Sequence, residues 1–192
     1  MAKWGVAAKV YLRVDRNRRV DCGGQLYLSI RTLQKALGAP FYPTSPPVIE
    51  KMLTLAGVNS ESIVYDLGCG DGGILVAAAR DHNAKKVVGI EQNQRLCSVA
   101  LKKTQNLKNV VIVNANYDTV DLSEATVVTL YQSSSENARL KRKLLSELQK
   151  GSTIVSHDFG IPGWRPKEFR TFKEGHHGYR IIVYVIGSQT PR

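Results

Sequence analysis

The stretch YDLGCGDGG, residues 65–73, sets the reading of the whole chain. It holds four glycines and two aspartates and follows the apolar pair Ile63 and Val64. Glycines at this density let a backbone turn sharply and approach a ligand that side chains would hold off. A buried strand, SIVYDL, ends in this turn, and the helical pattern of GGILVAAARDH follows it. Together they make the first half of a strand–helix–strand unit.

The alternation continues downstream. KKVVGIE reads as a strand and NQRLCSVALKKTQN as a helix with Leu96, Val99 and Leu101 turned inward. NVVIVNA and ATVVTLY are strands. SENARLKRKLLSELQKG is a helix with Leu140, Leu144 and Leu148 on one face, and STIVSHDF is a further strand. The end, FRTFKEGHHGYRIIVYVIG, reads as two strands around a turn from Gly175 to Gly178 that includes His176 and His177. The predicted fold is α/β: an open, mostly parallel, Rossmann-like sheet flanked by helices, with a C-terminal antiparallel hairpin. Ligands of such sheets sit at the carboxyl ends of the central strands. Upstream, APFYPTSPP breaks the chain with four prolines. Pro46 and Pro47 then open a helix, PPVIEKMLTLAG, with Val48, Met52 and Leu55 on one face and Gly57 as its stop.

Gly68, Gly70 and Gly73 satisfy G-x-G-x-x-G, a dinucleotide pattern. Charge argues against a dinucleotide, because Asp66 and Asp71 would flank its pyrophosphate and repel it. A ligand bringing positive charge and no phosphate fits better. S-adenosylmethionine carries a sulfonium, an ammonium and one carboxylate. Its carboxylate suits the backbone amides of Gly68 and Gly70, and its ammonium suits Asp66. Glu91, about 20 residues beyond the turn at the end of the next strand, is placed to accept from ribose hydroxyls. In NANYD, Asn116 is a candidate for the adenine edge and Tyr117 for its face; the competing reading of Asn116 is a turn residue.

The chain also resembles a known family. FYPTSPPVIEKMLTLAGV, VYDLGCGDGG with the later GIE, DLSEATVVTLY and GSTIVSHDFGIPGW are similar to the archaeal protein-lysine methyltransferases of broad specificity. These are class I, seven-strand S-adenosylmethionine-dependent methyltransferases, and the resemblance spans about residues 40–187. It implies methyl transfer to protein lysines. It also implies that the proline-rich segment folds over the cofactor, which brings Tyr42 and Thr44 to it. Tyr131, at the carboxyl end of its strand, is the candidate at the methyl-transfer site. Phe41 and Trp164 are candidates for the lysine channel, with core packing as the alternative for Trp164. His157 precedes Asp158 and suggests a base, but methyl transfer needs none, and a structural histidine is the stronger reading.

Composition bounds the rest. The 192 residues suit one domain with an appendage, and 43% hydrophobic content excludes wholesale disorder. No apolar run approaches the ~18 residues of a membrane-spanning helix. The amino terminus lacks the apolar centre of a secretory signal, so a cytoplasmic location is expected. Cys22, Cys69 and Cys97 and the four histidines make no zinc set, and no metal is expected. Residues 1–38 form a basic N-terminal extension: VYLRV and QLYLSI flank DRNRRVDCGG as a hairpin, or the segment is a flexible arm. Residues 39–192 form the methyltransferase domain. The net charge of +11 favours polyanion contact, so the expected partners are lysine-bearing proteins, among them nucleic-acid-bound ones, with direct nucleic-acid contact in view. Asp118, Asp121, Glu124 and Asp158 are candidates for an acidic mouth that offsets the positive charge. Two alternatives stand: an RNA or DNA methyltransferase, although TLYQSSS lacks the Asn/Asp-Pro-Pro-Tyr/Phe motif, and a non-enzymatic nucleic-acid-associated protein.

Overall fold

A computed structural model describes residues 13–14, 19–21, 28–29, 41–174 and 177–188. The chain divides into two compact units, Met1–Tyr42 and Pro43–Arg192. The first holds three short antiparallel strands in the order β1-β2-β3: β1 (Arg13–Val14), β2 (Arg19–Asp21) and β3 (Leu28–Ser29). DRNRRVDCGG, expected as a loop, therefore contains β2. The register sets Val14 opposite Val20 and Val20 opposite Leu28. Cys22 lies outside the described residues.

The second unit opens with helix α1 (Pro46–Leu55), whose two prolines occupy positions with no intrahelical N–H partner to lose. It buries Val48, Ile49, Met52 and Leu53. The inward stripe is thus wider than expected and passes through Leu53, leaving Leu55 only partly buried. Gly57, at φ +70°, ends the helix: its N–H meets the Thr54 carbonyl at 3.0 Å and the Val58 N–H meets that of Leu53 at 3.1 Å.

Next come β4 (Ile63–Leu67), α2 (Gly73–Val76, continued by a π-helical turn over Ala77–Asp81), β5 (Lys86–Glu91), α3 (Gln94–Thr104) and β6 (Val110–Asn114). Then follow β7 (Val127–Leu130), α4 (Ser134–Glu147), β8 (Thr153–His157), β9 (Glu168–Glu174) and β10 (His177–Val185). One seven-stranded sheet results, in the order β6-β5-β4-β7-β8-β10-β9. β4 to β8 pair in parallel, and β10 runs antiparallel to both β8 and β9. This is the expected open sheet with a terminal hairpin. His177 belongs to β10 rather than to the turn, paired with Glu174, because the antiparallel register runs to the last residue before the turn. His176 lies outside the described residues. Among the described residues no helix is long and apolar enough to cross a membrane.

Each sheet face carries its own core. α1 and α2 cover one face, where Met52, Leu53, Leu75 and Ile181 are buried; α4 covers the other with Leu140 and Leu144. Helix α3 corrects an expectation. It buries Cys97, Ala100 and Thr104, while Val99 and Leu101 are 45% and 55% exposed. Small residues face inward because the glycine turn presses on this helix: a Cβ on Gly72 would meet the Ala100 Cβ at 3.1 Å. Gly89 in β5 is equally confined, since a Cβ there would meet Leu75 Cδ1 at 2.4 Å and Cys69 Sγ at 2.8 Å. Gly89→Ala is expected to destabilise the protein by about 1–3 kcal/mol through overpacking, read as a lower denaturant midpoint with an unchanged slope.

Candidate active site at the carboxyl edge of the sheet

β5 and β6 extend the sheet on one side of β4, and β7 and β8 on the other. The strand order therefore reverses between β4 and β7, where ligands of such sheets bind. The registers Leu67↔Ile90, Leu67↔Leu130 and Leu130↔Ser156 each end one residue short of the carboxyl edge. One step further, Glu91, Gly68, Tyr131 and His157 fall in a single row across four adjacent strands. With strands ~4.8 Å apart, about 10 Å separates the strand of Glu91 from that of Tyr131.

The turn is stapled to β5. The N–H groups of Gly68 and Cys69 both donate to the Ile90 carbonyl, at 2.8 and 3.0 Å. The Gly70 N–H donates to Glu91 Oε2 at 3.0 Å, and the Asn93 N–H donates to Glu91 Oε1 at 2.8 Å. Gly68, Gly70 and Gly72 all have positive φ, which side chains would strain. Gln132 reaches over this turn from the end of β7: its Nε2 donates to the Leu67 carbonyl at 2.9 Å and would lie 2.3 Å from a Cβ on Gly68. Gln132 was not among the candidates, because a polar residue after Tyr131 carries no signal until strand order puts it beside Gly68.

Asp66 is buried and accepts from the Thr129 hydroxyl at 2.6 Å, across the β4–β7 pairing. Burial pushes its carboxyl up to about 7; the Thr129 hydroxyl pulls it down, and the Glu91 and Asp71 carboxylates push it up again. Asp71 differs from expectation. It forms an ion pair with Lys103 and accepts from the Gly73 N–H at 3.2 Å, so its charge is already answered at the start of α2. The uncompensated acidity of the site belongs to Asp66 and Glu91.

On the β7–β8 side, the Tyr131 ring stacks on His157 with centroids 4.0 Å apart and on Phe159 at 6.3 Å. Thr44 Oγ1 lies 3.4 Å from His157 Nδ1, which brings the proline-rich segment to the same corner. Burial lowers the His157 pKa below its ordinary value and so favours the neutral imidazole, against an opposing pull from the Asp158 carboxylate 3.6 Å away. His157 is a packed residue of the aromatic stack.

Asn116, Tyr117 and Trp164 are engaged with other partners, while Phe41 and Tyr42 belong to the other unit. Phe41 and Tyr42 are exposed residues of the first unit. Asn116 caps its own turn, its Oδ1 accepting from the Asp118 N–H at 2.9 Å. The Tyr117 hydroxyl donates to Glu136 at 2.8 Å, and burial first, then Glu136, pushes its pKa up to about 12. Trp164 packs edge-on against Tyr184 in the core on the α4 side, on the opposite face from His157, so the sheet separates it from Tyr131. Nor do the four candidate acids gather into one mouth. Asp118 pairs with Arg139, and Glu124 with Lys86 at the amino-terminal edge of the sheet. Asp121 precedes β7 at that same edge, and Asp158 alone stands at the site. No cluster of three metal-ligating side chains occurs among the described residues.

Residues 66–168 match the ANTKMT methyltransferase domain. A protein-lysine N-methyltransferase from Saccharolobus islandicus is 45% identical over 153 residues, covering 77% of this chain and 94% of that protein. The mouse adenine nucleotide translocase lysine N-methyltransferase is 29% identical over 71% of this chain and 60% of its own length. The crystal structure of an RNA methyltransferase from Salinibacter ruber in complex with S-adenosyl-L-homocysteine superposes with a TM-score of 0.72 at 37% identity, covering 79% of this chain and 97% of that one.

The Asp66 carboxyl gives a test of the site's electrostatics. A buried acid with a raised folded-state pKa stabilises below its unfolded value of 3.8 and loses that contribution as pH rises through about 7. Asp66→Asn, which keeps an acceptor for Thr129, is expected to match the parent at pH 4. It should exceed the parent at pH 8 by up to about 4 kcal/mol in urea unfolding. An equal gain at both pH values would show that Asp66 is not held protonated.

Proposed function

The chain belongs to the ANTKMT methyltransferase family, and from that premise we propose that it transfers methyl groups from S-adenosylmethionine to lysine side chains of proteins, over a broad range of acceptors. The observation that carries this reading is the single row from Glu91 through Gly68 to Tyr131 and His157. It sets an acidic, glycine-lined half beside an aromatic half.

The acidic half fits the cofactor's chemistry. Glu91 suits the ribose hydroxyls and Asp66 the ammonium; the amides of Gly68 and Gly70, expected to take the carboxylate, are instead spent on the Ile90 carbonyl and on Glu91, so the glycines of the turn serve close approach rather than donation. Thr44 stands at the His157 corner as the contact of the covering segment. When bound, S-adenosylmethionine supplies a methyl group already activated by its sulfonium. The protein's tasks are alignment, water exclusion and delivery of a neutral amine. At a free lysine pKa of ~10.4, neutralisation at pH 7 costs roughly 4.6 kcal/mol. An aromatic, weakly polar wall of Tyr131 and His157 lowers that pKa by desolvation and requires no dedicated base.

A second reading concerns how acceptors are reached. Residues 1–42 carry eight Lys/Arg and two Asp/Glu, while residues 43–192 carry nineteen and fourteen. More than half of the net charge therefore sits in less than a quarter of the chain. Trp4, Tyr11 and Tyr27 lie among these basic residues, a composition suited to nucleic acid. We infer that this unit holds the enzyme on nucleic acid, where bound proteins present their lysines. Methylation of the nucleic acid itself is the competing reading.

Incubation with labelled S-adenosylmethionine and cell extract is expected to leave label that protease releases and nuclease does not. The converse would make the acceptor a nucleic acid. In a salt titration of full-length protein on a duplex oligonucleotide, replacing Arg13, Arg16, Arg18 and Arg19 by Gln is expected to flatten the log–log slope by roughly 3–4. An unchanged slope would remove the first unit from nucleic-acid binding.

A further inference from the structure

We propose that Phe159 forms the outer wall of the channel that admits the acceptor lysine, the place for which Phe41 and Trp164 were the sequence candidates. The proposal rests on the lysine reading above. Phe159 follows His157 by two residues, and its ring continues the Tyr131–His157 stack, 27° from the plane of Tyr131. Its backbone follows β8, which stands three strands from β5, the strand that ends at Glu91.

The ring is 38% exposed. A single exposed aromatic is ordinary; the apparatus that holds this one is not. Asp158, directly before it, sits at φ +57°, in the left-handed region that side chains disfavour. Two hydrogen bonds with Arg180 pin that conformation: the Asp158 N–H donates to the Arg180 carbonyl and the Arg180 N–H to Asp158 Oδ1, each at 2.8 Å. The Phe159 carbonyl then accepts from Ser156 Oγ at 2.6 Å and from Asn137 Nδ2 at 2.8 Å. Asn137 is fully buried and reaches this corner from the first turn of α4. A left-handed residue other than glycine is uncommon, and here bonds from β10, β8 and α4 hold it and the residue after it in place. The same bonds fix the backbone that carries an exposed apolar residue beside Tyr131.

The ligand chemistry follows from the rings. Phe159 and Tyr131 present aromatic faces and edges to a lysine stem, apolar along its methylenes and cationic at its tip. The molecule already shows this pairing elsewhere: Lys51 Nζ lies 4.7 Å from the centroid of Phe172.

The test compares Phe159→Ala and Phe159→Tyr with the parent, using a purified protein acceptor identified by labelling. Phe159→Ala is expected to lower kcat/KM for the acceptor about tenfold, mainly through KM. Cofactor affinity by calorimetry should stay within twofold and the melting temperature near that of the parent. Phe159→Tyr is expected to restore most of the loss. Acceptor kcat/KM within twofold of the parent in Phe159→Ala would overturn the proposal, as would a loss matched by weaker cofactor binding or one that tyrosine does not restore. A parent enzyme that labels no protein overturns the lysine reading and this proposal together, whereas an unaffected Phe159→Ala overturns this one alone.

Discussion

The Glu91 carboxylate joins two things that have no covalent reason to stay together. One oxygen takes the Gly70 N–H and the other the Asn93 N–H, so the same side chain closes the glycine turn after β4 and begins α3 after β5. Without this bridge the turn would be tied to the end of β5 by the two amide bonds to the Ile90 carbonyl, with Gln132 holding it from β7. The carboxylate is buried, and charge-assisted bonds to backbone amides are strong in such surroundings. The acid that the spacing marks for ribose is therefore also the acid that shapes the turn, and a substitution there acts on both.

The charge argument from the sequence survives with different bookkeeping. Its two aspartates were read as a pair of bare charges flanking the ligand. Lys103 answers Asp71, which leaves Asp66 beside Glu91 as the acidic pair. Asp66 is buried and held partly protonated by its surroundings, a state that a cationic guest relieves and a pyrophosphate worsens. A cation is still the better guest, and the reason is sharper, because burial of one acid beside another does more than the count of aspartates.

Much of this was legible along the chain. Strand–helix alternation, the glycine turn and the spacing to Glu91 depend on local patterns, and the sheet follows from them. The faces of α3 were misread because helical periodicity weighs Val99 and Leu101 by hydrophobicity, while the packing constraint at Gly72 asks for the smallness of Ala100. The placement of Gln132 over Gly68 depends on β7 inserting beside β4, a neighbour relation that no local pattern encodes. Trp164 sits near Phe159 in sequence but on the other face of the sheet from His157, and a one-dimensional reading cannot separate the two. Phe159 itself lies within GSTIVSHDFGIPGW. The signal that sets it apart is the left-handed Asp158 before it, and an aspartate ahead of a phenylalanine does not announce that.

The acidic mouth was invoked to explain how a basic enzyme meets basic acceptors. Two of its members are spent elsewhere, Asp118 on Arg139 and Glu124 on Lys86, while Asp158 stays at the site with one oxygen on the amide of Arg180 and the other 3.6 Å from His157. These four acids therefore form no carboxylate cluster that would attract basic acceptors. On the lysine reading proposed above, the Tyr131–His157 half of the row meets the methylene stem and the tip of the acceptor side chain, which all lysines share. A site of that kind, with acceptors held on a common polyanion as proposed above, would give broad acceptor range as a physical consequence rather than as a separate property.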